Sequence, residues 1–237
     1  MDRKIYAIIL SGGKGKRMGS SISKQYMMLN DRPILYYSLD SFEKSDVDEV
    51  VVVVGKNDKE YVKSEIVDKY NFKKVKIIKE GGAERYNSVY NGLMAIDDQM
   101  NVNINNTYVL IHDGARPFIS VEIINKTIYE VMKDNAVVVG VPVKDTIKIV
   151  NNLNDIVDTP DRSMLWQVQT PQAFLLPKIK AAYKKAIESE RKDLTDDSMV
   201  METFGGHTVK MIMGDYNNIK ITTPEDLIFG SAILNNQ

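Results

Sequence analysis

The residues best suited to chemistry in this chain run from Ser11 to Gly19 and are closed by Lys24 and Gln25. Gly12, Gly13 and Gly15 fall within four positions, and Lys14, Lys16, Arg17 and Lys24 surround them. Residues without a Cβ let a ligand approach backbone N–H groups closely, and such groups cradle anions. Four added cations suit a polyphosphate better than a plain turn, and they form charge-assisted hydrogen bonds with one. The alternative is a solvated basic turn. The P-loop pattern is excluded, because no Gly-Lys-Ser/Thr ending occurs. The dinucleotide pattern Gly-x-Gly-x-x-Gly breaks at Met18, with Gly19 one place late, so a mononucleotide loop is the better reading.

Further candidates recur at similar places. Gly81-Gly82 leads to Arg85, Asn87 and Ser88, which read either as an anion-binding turn or as a capped helix with an ion-paired arginine. His112-Asp113-Gly114-Ala115-Arg116-Pro117 supplies a carboxylate suited to a divalent cation or a ribose hydroxyl, and an arginine suited to a phosphate. A structural Asp113–Arg116 turn pair is the competing reading, and His112 reads as a packing residue. Arg162 has the reach to cross to a substrate. Thr195-Asp196-Asp197-Ser198 reads as a helix cap, and Lys220 lies in a short extended run.

Elements that position these residues follow from the apolar pattern. Ile5 to Leu10, Val50 to Val54, Thr107 to Ile111 and Val137 to Val141 read as buried strands, with Val75 to Ile78 and Thr208 to Met213 further strands. Helical spacing marks the segment after Pro33, Asp58 to Tyr70, Val121 to Met132 and Lys178 to Arg191. Strand and helix in alternation predict an α/β fold whose sheet is mostly parallel, with ligands beyond the carboxyl ends of its strands. Between Pro142 and Leu165 the pattern changes to two alternating segments around Asn151-Asn152-Leu153-Asn154, which predicts a projecting hairpin. Its exposed apolar residues predict a dimerisation arm. Asp161 to Gln172 reads as the return of the chain to the body, with Trp166 in the core.

Composition narrows the function. Lys+Arg 31 against Asp+Glu 32 gives a net charge of -1 over 237 residues, so no global field favours nucleic acid or a membrane. The absence of cysteine excludes thiolate chemistry, and having only His112 and His207 disfavours a histidine-rich metal site, while a hard cation on oxygen ligands fits. Six apolar residues before the first glycine are too few for a signal peptide or a membrane span, which predicts a cytoplasmic protein.

Taken together these stretches resemble the 2-C-methyl-D-erythritol 4-phosphate cytidylyltransferases of the non-mevalonate isoprenoid pathway. The broader nucleotidyltransferase family also includes ribitol-5-phosphate cytidylyltransferases. Six motifs in order carry the likeness: Gly13-x-Gly15-x-Arg17-Met18 with Lys24-Gln25-Tyr26; Gly81-Gly82 to Leu93; His112-Asp113-x-Ala115-Arg116-Pro117; Pro142 to Thr146; Thr170-Pro171-Gln172; and Asn218-Ile219-Lys220 to Asp226. Pro142 to Thr146 with Asp161-Arg162-x-x-Leu165-Trp166 favours methylerythritol phosphate over ribitol phosphate. The resemblance implies a single Rossmann-like domain over residues 1–237, of the nucleotide-diphospho-sugar transferase type, with a β-arm at about 142–165. It implies CTP and an alcohol phosphate as substrates, Mg²⁺ as cofactor and a homodimer. Arg17, Lys24 and Lys220 are then catalytic, and Ser11, Gly12, Gly13, Gly15, Gly82, Ser88 and Asp113 hold the nucleotide, with Asp113 also at the metal. Arg116, Thr195, Lys220 and the partner subunit's Arg162 bind the alcohol phosphate. Ser11, Gly12 and Gly114 stand where the family usually has alanines, and Ala83 where aspartate is common. The rival expectations are a cytidylyltransferase for ribitol phosphate or another acceptor, a non-catalytic nucleotide-binding regulator, and a nicotinamide oxidoreductase, the last disfavoured by the missing third glycine.

Overall fold

The computed structural model describes residues 3–13, 23–97, 104–189, 191 and 193–235. Lys14, Gly15, Lys16, Arg17 and Gly19 therefore lie outside the described residues. The chain opens with β1 (Lys4–Ser11), whose apolar run is buried from Ile5 onward. Odd-numbered Ile5, Ala7 and Ile9 pack on one face of the sheet and even-numbered Tyr6, Ile8 and Leu10 on the other, as the two-residue period of a strand requires. Two short strands, β2 (Met28–Leu29) and β3 (Arg32–Pro33), pair and lead into α1 (Ile34–Lys44). Then come β4 (Glu49–Val54), α2 (Lys59–Tyr61) continued by the wider-turned Val62–Asp68, and β5 (Val75–Glu80).

The second part runs α3 (Arg85–Asp97), β6 (Thr107–Asp113), α4 (Val121–Asp134) and β7 (Ala136–Pro142). A hairpin of β8 (Ile149–Val150) and β9 (Ile156–Asp158) follows, then β10 (Trp166–Leu175), α5 (Leu176–Glu188), α6 (Asp197–Val200), β11 (Lys210–Met213) and α7 (Pro224–Asn235). Seven strands form one sheet in the order β11-β7-β10-β6-β1-β4-β5, and every neighbouring pair is parallel except the two made by β10. One apolar layer holds α1 and α4 against the sheet through Leu39, Phe42, Ile124 and Val131. The opposite layer holds α3 and α5 through Val89, Leu93, Ile179 and Tyr183. Truncating one of these buried aliphatic residues to alanine costs about 2–5 kcal/mol, because the transfer energy is lost and a cavity is left behind.

Parallel pairing places the carboxyl ends of β1, β4, β5 and β6 along one edge. Ser11, Val54, Glu80 and Asp113 end those strands, so the turns that follow them converge.

The strand β10 corrects the sequence reading, which took its residues only as a return to the body. Gln167, Gln169, Thr170 and Gln172 conceal its burial in the sequence, and Pro171 argues against any central strand. The ladder between β10 and β7 shifts register between Val168 and Gln172. The proline lies inside that irregularity, where its missing N–H removes no regular ladder bond. Trp166, expected in the core, is 38% exposed at the start of this strand.

Candidate active site

The converging turns enclose a cleft of about 1000 Å³. Gly12 and Gly13 form its floor after β1. A Cβ on Gly12 would meet the Val54 carbonyl oxygen at 3.2 Å, so the β1 and β4 turns approach too closely for a larger residue to fit without displacement. With its amide oriented by its partners, Gln25 donates to the Gly13 carbonyl at 3.0 Å and accepts from the Gly13 N–H at 3.2 Å. This pairing holds the glycine turn against the short helix Lys24–Tyr26.

After β5, Gly82 N–H donates to the Ser88 hydroxyl at 3.1 Å, and that hydroxyl donates to the Glu84 carbonyl at 3.1 Å. A Cβ on Gly82 would lie 2.3 Å from the Asn87 Cβ, so the turn demands glycine. Gly82 and Ser88 both line the cleft. Sequence reasoning had marked them, and the geometry adds that Ser88 braces the turn.

Asp113 is the electrostatic centre. Its Oδ2 accepts from Lys220 Nζ at 2.7 Å, its Oδ1 lies 3.5 Å from Arg85 Nε, and Arg116 Nε stands 3.9 Å from Oδ2. Burial pushes this carboxyl upward, yet Arg85, Lys220 and Arg116 outweigh it and hold the group well below the usual carboxylate range. It is ionised at neutral pH. Lys24 is buried beside this group, and its ammonium donates to the Ile221 carbonyl at 2.9 Å. Ile221 N–H in turn donates to the Ala115 carbonyl at 2.8 Å. Lys24, Lys220 and Asp113 thus belong to one connected wall, although almost 200 residues separate the two lysines in the chain.

A buried chain of hydrogen bonds supports that wall. Asp113 N–H donates to Thr170 Oγ1 at 3.1 Å, and that hydroxyl donates to His112 Nδ1 at 3.0 Å because the Arg116 carbonyl, which can only accept, faces the other ring nitrogen. His112 then carries its proton on Nε2, facing the Arg116 carbonyl at 3.2 Å. Burial lowers the His112 pKa to about 4, so the imidazole is neutral. His112 is a support, as the sequence suggested. Arg116 donates to the Asn218 carbonyl at 2.7 Å, and burial lowers its pKa.

The remaining candidates are placed differently. Ser11 is fully buried and its hydroxyl has no partner among the described residues. It lies on the same face as Ile9, and its carbonyl accepts from the Tyr26 hydroxyl at 3.4 Å. Arg162 donates to the Lys144 carbonyl at 2.8 Å at the base of the hairpin, and Thr195 is exposed beside Met199. Neither is among the residues that line the cleft of this chain. Gln25, which closes the first stretch, lines the cleft, and so do Lys56 and Glu80, which the sequence reading missed. The repeated strand-then-glycine signal at Val54-Gly55-Lys56 was available to find that turn.

A mostly parallel sheet with a glycine-floored, cation-walled cleft at its strand ends defines a nucleotide-binding α/β protein. The family model described as 2-C-methyl-D-erythritol 4-phosphate cytidylyltransferase, IspD, matches residues 5–236. The chain belongs to that family. It is 50% identical over 233 residues to the 2-C-methyl-D-erythritol 4-phosphate cytidylyltransferase of Alkaliphilus metalliredigens, covering 98% of this chain and 93% of the relative. The corresponding protein of Lachnoclostridium phytofermentans is 49% identical over 231 residues, covering 98% and 96%. The crystal structure of 4-diphosphocytidyl-2C-methyl-D-erythritol synthase from Anaerococcus prevotii superposes with a TM-score of 0.84 at 37% identity, covering 98% of this chain and 96% of that one.

Proposed function

We infer that this chain joins CTP to 2-C-methyl-D-erythritol 4-phosphate, giving 4-diphosphocytidyl-2-C-methyl-D-erythritol and diphosphate for isoprenoid precursor synthesis. The observation that carries this reading is the gathering of Lys24, Lys220 and Asp113 in one cleft with the glycine turns, in a chain of this family. A phosphate oxygen of the alcohol phosphate attacks the α-phosphorus of CTP, and the bond from that phosphorus to the bridging oxygen of the diphosphate breaks. Because the attacking phosphate is already ionised at neutral pH, no side-chain nucleophile is needed. What the protein must supply is alignment of two polyanions and compensation of the charge that builds on the transferring group.

In this reading Arg17 and Lys24 compensate charge on the α-phosphoryl oxygens and the leaving diphosphate, with Lys220 alongside. Gly12, Gly13, Gly15 and Gly82 offer backbone to the nucleotide, Ser88 braces the Gly82 turn, and Asp113 accepts from the ribose. Ser11 contributes through its backbone, since its side chain lies away from the cleft. Among the described residues no three His, Cys, Asp or Glu side chains gather at one point. One ionised carboxylate beside a triphosphate nonetheless suits Mg²⁺, which is held by few carboxylates and mainly by phosphate oxygens. Bound there with Asp113 as its protein ligand, the ion would neutralise further phosphate charge.

Residues 1–237 act as one catalytic domain that works as a homodimer in the cytoplasm. The hairpin presents Leu153 and Ile156 at 80% and 63% exposure, a surface suited to a second copy of the chain. Within that dimer the partner subunit's Arg162 serves the alcohol phosphate together with Arg116, Thr195 and Lys220. No described helix is long and apolar enough to cross a membrane. Incubation with CTP, Mg²⁺ and either methylerythritol phosphate or ribitol phosphate, measuring diphosphate release, tests the assignment. Preference for ribitol phosphate would reassign the acceptor, and tight CTP binding without turnover on either would favour a regulator.

A further inference from the structure

Arg85 lines the cleft, yet both of its terminal nitrogens point away from it. Nη1 donates to Asp197 Oδ1 at 2.9 Å and Nη2 to Asp197 Oδ2 at 2.8 Å, a two-pronged pair of the strong kind. Asp197 is fully buried at the start of α6, and the Tyr183 hydroxyl of α5 donates to its Oδ1. Asp113 receives only the Arg85 Nε, at the long distance of 3.5 Å. Lys220 donates to Asp113 Oδ2 at 2.7 Å, so Oδ1, which meets only this long contact, is the more available oxygen for a ligand.

We propose that Asp197, held by Tyr183, is a positioning residue that restrains Arg85 and so keeps Asp113 Oδ1 open to the nucleotide. The argument rests on Asp113 serving the nucleotide, as proposed above. Without the Asp197 charge, Asp113 is the carboxylate that the Arg85 guanidinium already touches, through Nε. The guanidinium turns to Asp113, pairs with it through two nitrogens and closes the oxygen that the ribose or the metal needs. The helix-start cluster Thr195 to Ser198 is therefore more than a cap: Asp196 caps α6 by accepting from Met199 N–H at 2.9 Å, while Asp197 restrains the arginine.

Calorimetric titration of CTP with Mg²⁺ into the full chain tests this without relying on turnover. Asp197→Asn is expected to raise the CTP Kd about tenfold, on the scale set by losing a charged hydrogen-bonding partner. Tyr183→Phe is expected to raise it two- to threefold. The double variant Asp197→Asn with Arg85→Gln is expected to bind CTP more tightly than Asp197→Asn alone, because no free guanidinium remains to occupy Asp113. A merely structural role also predicts recovery in the double variant, since removing both partners strands no buried charge, so Arg85→Gln alone separates the two: the restraint predicts tighter CTP binding than in Asp197→Asn, and a structural role predicts an equal loss. An unchanged Kd in folded Asp197→Asn, a double variant weaker than the single, or an equal loss in Arg85→Gln overturns the proposal. If Asp197→Asn does not fold, Tyr183→Phe decides: an unchanged Kd there overturns it. Asp113→Asn, titrated in parallel, separates the two levels. If it leaves CTP binding intact, the role given to Asp113 fails. If it weakens binding while Asp197→Asn does not, only the restraint fails.

Discussion

The cleft and the hairpin treat their side chains in opposite ways. In the cleft, polar groups are drawn out of water and given partners: Asp113 meets Lys220, Arg85 meets Asp197, and Thr170 links Asp113 to His112. In the hairpin, Ile149, Val150, Leu153, Ile156 and Val157 are left in water, and the local order comes from its turn. There Asn151 Oδ1 accepts from Leu153 N–H at 2.9 Å and from Asp155 N–H at 3.0 Å, and Asn154 takes a φ of 65°. A buried polar network must be complete within one chain, because an unmet partner costs about 1–3 kcal/mol. An exposed apolar surface can be completed by another chain. The cleft therefore carries its own specification, and the hairpin leaves an apolar surface that a second copy covers in the proposed dimer.

The sharpest break of this contrast is in the cleft. Lys24→Ala and Lys220→Ala, like Arg17→Ala, are expected to lower kcat by ~10² to 10³, the scale for removing one preorganised charge-stabilising donor. Steady-state kinetics with saturating CTP check this, and a loss of only two- or threefold would remove these residues from the chemistry.

The hairpin is probed by mixing. Arg162→Ala and Lys24→Ala chains should each be nearly inactive, yet equal amounts of the two, after subunit exchange, should recover about a quarter of wild-type activity. Half of the randomly formed dimers then carry one intact site of two. No recovery would place Arg162 outside a shared site. Leu153→Asp with Ile156→Asp should shift the chain toward monomer in sedimentation experiments, with thermal stability little changed.

A smaller effect concerns stability. The pKa of His112 lies near 4 in the folded chain because of burial, against about 6.5 when unfolded. Between those values the unfolded chain takes up a proton that the folded chain refuses, so stability falls as pH drops from about 6.5 to about 4, by about 3 kcal/mol. Denaturant titrations at several pH values across that window should show the slope, and His112→Gln, which retains a donor and an acceptor, should flatten it. An equal slope in the variant would assign the effect elsewhere. Smallest of all, CTP affinity should weaken several-fold between ~0.05 and ~0.5 M salt, since Lys14, Lys16 and the cleft lysines attract the triphosphate through a screened field. A salt-independent Kd would refute this.

Much of this arrangement was legible in the chain itself. The wholly apolar runs at Ile5 to Leu10, Val50 to Val54 and Val137 to Val141 could only be strands buried on both faces, and glycine after β1 and β5 marked two turns of the cleft. What escaped notice was governed by partners remote in sequence. Burial of β10 depends on β6 and β7 lying on either side of it, and its polar, proline-bearing sequence gives no period to read. Lys220 reads equally as cleft or surface until Asp113 is found 2.7 Å away.

Residue types and local spacing, acting through chain sterics and the period of apolar burial, determined the alternating α/β order, the glycine turns and the stock of cations. Tertiary structure alone decided which cation meets which carboxylate. Arg85 faces Asp197 across 112 positions, and Lys220 faces Asp113 across 107. Electrostatic partnership is a matter of distance in space and of burial, and neither is encoded in spacing along the chain.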